Sequence, residues 1–369
     1  MFALLVSLFL VLQVAFQAEC ASPRIAKAWY PGWHSDEFTP SNAAKEHGVH
    51  ASVSLGGWAG SRFFSTAVGS AENRTAFVKI VTDFAVEHDL DGLDLDWEYP
   101  NRQGLGCNTI SPNDTSNFIS FLEELREHPV GKNLTLSAAV SIQPLNNASG
   151  LPSKDLSRFG KVLDHIAIMN YDVWGGWSTA VGPNGPLNDT CAAPANQQGS
   201  AVWSVAKWTA AGVPISKLVL GLPAYGRGFS VNITDAFVNG SDSKLAEYPA
   251  FNANNRPNGD RWDDPAGLVD ACGVTNPAGS IFNFWGLVEN GYLNTDGSPR
   301  LPYRFDECSK AAYVYNSEKE IMVAYDSAES WAAKGEYIAD VGLAGFAVWQ
   351  AGGDYNDILV DSVLTSAGF

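Results

Sequence analysis

The order of strand and helix patterns along the chain restricts its fold more than any other feature. Short β-rich runs that end in polar or glycine-rich turns alternate with helical patterns, and this alternation favours a parallel sheet with both faces buried. We predict seven strands, over residues 25–33, 49–58, 92–100, 134–142, 165–174, 218–229 and 343–350. So many units in one chain favour an α/β fold with a closed (β/α) barrel over an open doubly wound sheet.

The helical patterns between these runs are amphipathic. Residues 71–87 place apolar side chains on one helical stripe, and the stripe consists of Ala76, Phe77, Ile80, Val81, Phe84 and Ala85. Shorter patterns of the same kind cover 117–127 and 200–211. Residues 230–321 break the rhythm and are rich in Asn, Asp, Gly and Pro, so we predict an inserted subdomain there. The barrel then comprises residues 21–229 and 322–369.

The amino terminus has the pattern of a secretory signal. Residues 2–16 are uncharged and predominantly apolar, too short for a relaxed membrane span of roughly 20 residues, and small residues follow. We predict that residues 1–20 are a cleaved signal peptide and that the mature chain is extracellular without a membrane span; an uncleaved anchor is the alternative. Seven N-x-S/T sequons agree with export, at Asn73, Asn113, Asn133, Asn147, Asn188, Asn232 and Asn239.

Composition excludes several partners and cofactors. The net charge of −17 lacks the basic footprint that nucleic acids or anionic membranes require. Neither the cysteines nor the histidines have metal-site spacing, and no nucleotide-binding glycine motif follows the first strand, so we expect no metal and no cofactor. The four cysteines after position 20 form an even set. Spacing leaves their pairing open, and our working hypothesis is Cys107–Cys191 with Cys272–Cys308.

The strongest chemical signal is a row of acidic residues in the third strand. Residues 91–100 read Asp-Gly-Leu-Asp-Leu-Asp-Trp-Glu-Tyr-Pro. Because side chains alternate along a strand, Asp94, Asp96 and Glu98 face one way, roughly 6–7 Å apart at each step. The opposite face is apolar, which argues against a solvated acidic strand. Like charges this close cannot all ionise, so we predict that at least one carboxyl pKa is strongly raised.

Five ordered motifs give the chain a family resemblance. The run from Asp91 to Glu98 resembles the signature of the family-18 glycoside hydrolases, the secreted chitinases. Residues 54–58 (Ser-Leu-Gly-Gly-Trp), 169–172 (Met-Asn-Tyr-Asp), 225–229 (Tyr-Gly-Arg-Gly-Phe) and 345–349 (Gly-Phe-Ala-Val-Trp) are similar to further motifs of that family. The resemblance runs from about Ile25 to the C-terminus. It implies a TIM-type (β/α)8 barrel and, after Phe229, an α+β insertion.

The resemblance also implies a mechanism without a protein nucleophile, in which the acetamido oxygen of the substrate attacks the anomeric carbon. Glu98 then protonates the leaving oxygen and later activates water, while Asp96 holds the acetamido N–H and stabilises the oxazolinium ion. Asp94 shares charge or a proton with Asp96, and Tyr171 donates its hydroxyl to the acetamido group.

Other residues are implied at the substrate. Asp172 binds sugar at the same subsite as the acetamido group, Trp349 forms the floor beneath the sugar, and Trp58 stacks on the sugar past the scissile bond. Met169 and Tyr225 belong to motifs at the same rim. For six further residues both a functional and a structural role remain open. They are Tyr30, Ser54, Arg227, Trp174, Trp177 and Trp285. We expect Asp91 to be structural.

One departure from the family concerns the second barrel strand. The family runs strand, helix, strand, helix before the Ser-x-Gly-Gly strand, whereas here only 15 residues (34–48) separate Trp33 from Val49. This length fits one crossover helix. We therefore identify seven barrel strands and expect either tight seven-stranded closure or a gap with exposed edges.

The resemblance favours a secreted, monomeric endo-chitinase acting on chitin or chitin oligosaccharides. An endo-β-N-acetylglucosaminidase acting on N-glycans is an enzymatic alternative. A chitin-binding lectin on the same scaffold is a second alternative, although lectin relatives lose the acid that matches Glu98. A truncated isoform without activity is the third, because of the missing strand.

Overall fold

Two sheets make up the computed structural model, which describes residues 24–31 and 46–369. Both sheets are built from short strands, and the central strands of the larger one are buried along most of their length. In chain order the strands are β1 (Ile25–Trp29), β2 (Ser52–Gly56), β3 (Gly92–Asp96), β4 (Thr135–Ser141), β5 (His165–Met169), β6 (Leu218–Pro223), β7 (Tyr225–Ser230), β8 (Ile281–Asn283), β9 (Tyr303–Asp306), β10 (Ala311–Asn316), β11 (Ile321–Tyr325) and β12 (Gly345–Trp349).

The larger sheet is parallel and has seven strands in the order β1-β12-β6-β5-β4-β3-β2. This is the sequential order of a curled (β/α)-barrel sheet, and it confirms the predicted fold class and the seven strands. Within the described part of the chain, β1 forms its ladder with β12 and β2 forms its ladder with β3. No ladder joins β1 to β2 there, so the described residues leave the expected gap between these two strands and show no tight closure. Residues 32–45, including Trp33 and His34, lie outside the description.

Ten α-helices are present in the described residues. They are α1 (Gly57–Gly60), α2 (Phe64–Ala67), α3 (Ala71–Glu87), α4 (Asp114–Glu127), α5 (Ser157–Val162), α6 (Ala201–Ala210), α7 (Ile233–Ala236), α8 (Phe284–Glu289), α9 (Ala328–Val341) and α10 (Ile358–Ala367). The Ser70 hydroxyl caps α3 by accepting a hydrogen bond from the Asn73 amide. The predicted helices over 71–87, 117–127 and 200–211 therefore correspond to α3, α4 and α6.

The buried face of α3 differs from the predicted stripe. Val81 and Ala85 are buried as expected, whereas Ile80 is 63% exposed and Phe84 is 40% exposed. On one side α3 packs against α4, through the stacked rings of Phe77 and Phe121 at 4.8 Å. The predicted stripe is therefore wrong at Ile80 and Phe84, and the helix buries Val78 and Thr82 beside Val81 and Ala85.

The second sheet is antiparallel and has the order β8-β7-β11-β10-β9. One predicted strand, over 218–229, is in fact two strands, because the chain leaves the parallel sheet at Ala224 and β7 joins the second sheet. Thus β7 and β11 extend this sheet beyond the 230–321 segment that we assigned to the insertion.

The apolar face of β3 packs against helices, as its alternation predicts. Leu93 and Leu95 are fully buried. The Trp97 ring stacks on Phe64 at 5.2 Å and meets the edge of Phe118 at 5.4 Å. Because this face is fixed by the core, the acidic side chains of the same strand must point into the barrel.

The disulfide pairing that we hypothesised is wrong. Cys107 pairs with Cys272, with Cα atoms 5.4 Å apart, and Cys191 pairs with Cys308, with Cα atoms 5.9 Å apart. The loop after β5 lies against the turn between β9 and β10, where the Leu187 amide donates to the Ser309 carbonyl. That packing brings Cys191 to Cys308 rather than to Cys107.

No helix of the described residues combines the length and apolar character that crossing a membrane requires. The predicted signal peptide, residues 1–20, lies outside the described residues.

Candidate functional site

Asp94 lies at the centre of a buried polar cluster inside the barrel. Strand register places Ser54 of β2 on one side of it and Ser137 of β4 on the other, and both hydroxyls donate to its carboxylate. The Trp29 indole donates at 2.8 Å, and the Lys27 ammonium lies 2.6 Å from Oδ1. Every lone pair of this carboxylate therefore faces a donor.

The two aspartates of the row differ in their protonation. Burial raises the pKa of Asp94, but Lys27 and the hydrogen bonds outweigh it and lower the pKa to about 2. Burial and the charges of Glu98 and Asp94 raise the pKa of Asp96 well above its ordinary value. The Asp96 Oδ1 atom is buried, with no hydrogen-bond partner in the described residues. The resting row thus holds an anionic Asp94 below a neutral Asp96, in agreement with the predicted raised pKa.

Glu98 stands at the open end of the row. Its amide donates to the Ser61 hydroxyl at 2.8 Å, and its carbonyl accepts from the Asn108 side chain at 2.9 Å. Burial raises the pKa of its carboxyl to about 7, against a hydrogen bond from Tyr99 that lowers it. A carboxyl with this pKa, at the C-terminal rim of a barrel strand, suits a general acid at neutral pH.

A glycine turn brings Trp58 to the same rim. Gly56 and Gly57 adopt φ values of 112° and 76°, and a Cβ at Gly56 would lie 2.1 Å from the Asp96 carbonyl oxygen. Only glycine fits this close approach. The turn leads directly into α1, where the Trp58 side chain is 52% exposed. It therefore offers a free aromatic face beside the acidic row.

On the opposite side of the row, β5 and β7 supply a second polar cluster. Asp172 accepts hydrogen bonds from the Tyr225 hydroxyl at 2.9 Å and from Arg227 Nη2 at 2.6 Å. The pKa of Tyr171 is raised, by burial first and then by Tyr225, Asp96, Glu98 and Asp172, so its hydroxyl remains a donor. The Tyr171 ring meets Tyr225 edge-on at 6.2 Å. Tyr171 and Asp172 are thus held close to the carboxyl row.

The sequence left the role of Arg227 open. In the structure one contact of its guanidinium is an ion pair and another is an aromatic ring at the cleft. It pairs with Asp172, and its guanidinium lies 5.3 Å from the centre of the Trp177 ring. Trp177 is 55% exposed and available as a platform. Trp174 and Trp285, in contrast, are buried in packing, so the cleft-platform alternative is wrong for both.

The remaining predicted residues lie at the ends of barrel strands, except Asp91, which lies at the start of one. Trp349 ends β12 and tilts against Trp29, with ring centres 6.4 Å apart. Met169 ends β5 and is half-buried, and Tyr30 follows β1. Asp91 accepts a hydrogen bond from the Ala51 amide at the entrance of the strand, which is a structural role.

Three residues around Asp94 were missed by sequence reasoning. Lys27, Trp29 and Ser137 all contact its carboxylate. The signal was available for two of them, because Lys27 and Trp29 share one face of β1 and a lysine within an apolar strand needs a buried partner. His165 lies nearby, and burial, followed by Lys27, lowers its pKa to about 3.

The described residues contain no group of three or more His, Cys, Asp or Glu side chains placed to hold a metal ion. The carboxyl row, with Glu98 at its open end and the exposed rings of Trp58 and Trp177 nearby, supports proton transfer to and from a bound substrate.

Comparisons with known proteins give a consistent result. The model of the glycosyl hydrolases family 18 matches residues 21–354. A protein of Moniliophthora roreri named "chitinase-like effector" is 53% identical, with 100% of both chains covered. Chitinase A1 of Niallia circulans is 32% identical over 83% of this chain and 41% of its own length. The crystal structure of a chitinase from Rhizomucor miehei has a TM-score of 0.81 at 28% identity and covers 93% of this chain and 90% of that one.

The Moniliophthora roreri alignment extends over 408 positions, whereas this chain has 369 residues, so 39 positions of the alignment have no residue here.

Proposed function

Because this chain belongs to the glycosyl hydrolases family 18, we propose that it hydrolyses β-1,4 bonds between N-acetylglucosamine units of chitin, with retention of configuration. The observation that carries the proposal is the row of three carboxyls on one strand face, in which Asp94 pairs with Lys27 at 2.6 Å and the buried Asp96 Oδ1 has no hydrogen-bond partner in the described residues. This setting lowers the pKa of Asp94 to about 2, raises that of Asp96, and burial raises that of Glu98 to about 7. A retaining mechanism with a protein nucleophile needs a second ionised carboxylate at the anomeric carbon. The substrate's acetamido group takes that part here.

In this proposal Glu98 transfers protons, and Asp96 and Tyr171 hold the acetamido group. Glu98 gives its proton to the glycosidic oxygen as the acetamido oxygen attacks the anomeric carbon and closes an oxazolinium ring. Asp96 accepts a hydrogen bond from the acetamido N–H through the carbonyl oxygen of its neutral carboxyl, and this bond strengthens as positive charge develops on the ring. The Tyr171 hydroxyl donates to the acetamido oxygen. Glu98, now ionised, removes a proton from the water that opens the ring.

Asp94 and the rim residues position the reacting groups. The fixed anion at Asp94 keeps the proton on Asp96 before substrate binds. Trp349 lies under the sugar, Trp58 stacks on the sugar beyond the scissile bond, and Asp172 accepts from a sugar hydroxyl on the other side. Tyr225 and Arg227 hold Asp172 in place, while Met169 and Tyr30 border the sugar.

The direct test compares the chain with its Glu98→Gln variant on chitin hexamer. We expect the variant to lose about 10²–10⁴-fold or more of the hydrolysis rate, because the general acid is gone. Its binding of the hexamer, measured by calorimetry, stays within a few-fold of the unmodified chain. A cellulose hexamer, which lacks the acetamido group, is the control and is not cut. Near-normal hydrolysis by Glu98→Gln would refute the role of Glu98.

A second candidate function is chitin binding without turnover. Two observations favour it. The Moniliophthora roreri relative is named an effector rather than an enzyme. In addition, Trp29 and Ser54, which hold Asp94, lie on the two strands that have no ladder between them in the described residues. The same hexamer experiment separates the candidates, because a binding protein binds the hexamer and releases no product.

We also propose that the chain is secreted. All four cysteines after position 20 form disulfides, which persist in oxidising compartments. None of the seven sequon asparagines is buried, so each is open to glycosylation. Expression in a secreting host, followed by N-terminal sequencing of the exported chain, tests cleavage near residue 20.

A further inference from the structure

A hairpin of the second subdomain, residues 264–278, extends beyond the antiparallel sheet, and we call it the strap. Its two arms pair through the Gly267 amide and the Asn276 carbonyl at 2.9 Å, and through the Asn276 amide and the Leu268 carbonyl at 2.8 Å. Asp270 closes the turn by accepting from the Cys272 and Val274 amides. The strap is therefore an ordered element rather than a loose loop.

The base of the strap is fixed on the Asp172 side of the site. Arg227, which pairs with Asp172, donates to the Gly279 carbonyl at 3.1 Å. Asp263 accepts from the Ser280 and Ile281 amides. These contacts tie the start of both arms to β7 and β8.

The tip of the strap is attached on the opposite side of the site, to loops next to Glu98. Cys272 forms a disulfide with Cys107 in the loop after β3, and Arg62 in the segment after β2 donates to the Ala271 carbonyl at 3.2 Å. The residue after Cys107 is Asn108, whose side chain donates to the Glu98 carbonyl. The tip is thus covalently joined to the loop that supports Glu98.

The base and the tip lie on opposite sides of the acidic row. The base is attached next to β6. The tip is attached to the loops after β3 and β2, which lie three and four strands away from β6 in the sheet order. Asp172 and Glu98, beside the two attachments, are close enough for the charge of Asp172 to raise the pKa of Glu98. The nine residues from Asp264 to Cys272 connect the two attachments and include turns at 266–267 and 271–272.

Between its two attachments the strap does not pack on the barrel. Residues 264–269 and 273–277 are all exposed, including the apolar side chains of Leu268, Val269 and Val274. A hairpin that lay flat on the rim would bury one face. Exposure of both faces is the pattern of an arch with solvent above and below.

We propose that the strap is a covalently closed roof over the acidic row, so that a chain of N-acetylglucosamine units must enter by its end and thread beneath it. The proposal rests on the function proposed above for this site. It replaces our expectation of endo attack by a preference for free chain ends. The specificity determinant is the Cys107–Cys272 bond, because it closes the passage between the strap and the loop after β3.

The test measures binding of two probes by the inactive Glu98→Gln chain. One probe is a chitin hexamer with free ends, and the other is the same hexamer joined to dextran at both ends. We expect the blocked hexamer to bind at least tenfold more weakly, since neither end can pass under the strap. Equal affinity for the two probes would overturn the proposal.

Two further variants, made in the same background, open the roof. Cys107→Ser with Cys272→Ser removes the bond at the tip, and we expect it to bind both probes equally. If this variant does not fold, replacement of residues 268–275 by Asn-Gly, with Cys107→Ser, removes the tip and keeps the base. Cys191→Ser with Cys308→Ser is the matched control; it removes the other disulfide and keeps the discrimination. Discrimination that survives both opened variants would also overturn the proposal.

The outcome is independent of turnover. If the unmodified chain fails to hydrolyse the free hexamer, the proposed hydrolase function fails, while the comparison of free and blocked probes still tests the roof. If the chain hydrolyses the hexamer and binds both probes equally, the roof fails and the function stands.

Discussion

Lys27→Met should be among the most destabilising single substitutions in the barrel. The side chains of Lys27 and Asp94 are both fully buried and their charged atoms lie 2.6 Å apart. Methionine matches the length of lysine but leaves the Asp94 carboxylate without its cation. Removing one partner of a buried ion pair costs about 3–5 kcal/mol, a large share of a typical stability of about 5–15 kcal/mol.

The pH dependence of this loss has a defined sign. In the unmodified chain the pKa of Asp94 is about 2, below its ordinary 3.8, so Asp94 contributes about 2 kcal/mol. That contribution is present above pH 4 and is lost as the pH falls from 4 to 2. Without Lys27, burial raises the pKa of Asp94 above its ordinary value. The variant then gains stability relative to the unmodified chain on acidification from pH 7 to pH 5.

Urea unfolding at pH 7 and pH 5, followed by tryptophan fluorescence, measures both effects. Lys79→Met is the matched control, because Lys79 forms an exposed pair with Asp83 at 2.5 Å and such pairs contribute at most about 1 kcal/mol. Lys27→Met with Asp94→Asn removes both charges and should recover part of the stability. A Lys27→Met loss no greater than that of Lys79→Met, or one independent of pH, would refute the reasoning.

Two other properties follow from the site and the sheet. Because burial raises the pKa of Glu98 to about 7 in the free chain, kcat/KM should fall about tenfold per pH unit above pH 7; a kcat/KM that stays constant to pH 9 would contradict this. Because β1 and β2 have no ladder between them in the described residues, the chain should melt at a lower temperature than a family-18 chitinase with a closed eight-stranded barrel. Calorimetry that shows equal, cooperative transitions for the two proteins would show that the open sheet costs nothing.

Local patterns were sufficient to predict the parallel sheet and the acidic face. Alternation in β3 placed Asp94, Asp96 and Glu98 on one side because Leu93 and Leu95 must be buried on the other. The spacing between the first two strands also predicted the gap, since 15 residues cannot hold another strand and two helices.

Features that depend on distant contacts could not be predicted in the same way. The disulfide partners of Cys107 and Cys191 lie 165 and 117 residues away, in a subdomain whose placement no local pattern encodes. The exposure of Ile80 and Phe84 depends on which elements pack against α3, and the helical stripe alone does not encode that. Lys27 could have been assigned only by aligning the face of β1 with that of β3 across the barrel.

The central claim is retaining hydrolysis assisted by the substrate's acetamido group, and proton NMR of the first product tests it most directly. Chitin hexamer is mixed with the unmodified chain, and the anomeric signals are recorded before mutarotation equilibrates them. Because the acetamido oxygen and then water attack from opposite faces, we expect the new reducing ends to appear first as the β-anomer. New ends that appear first as the α-anomer, or no new ends at all, would contradict the claim.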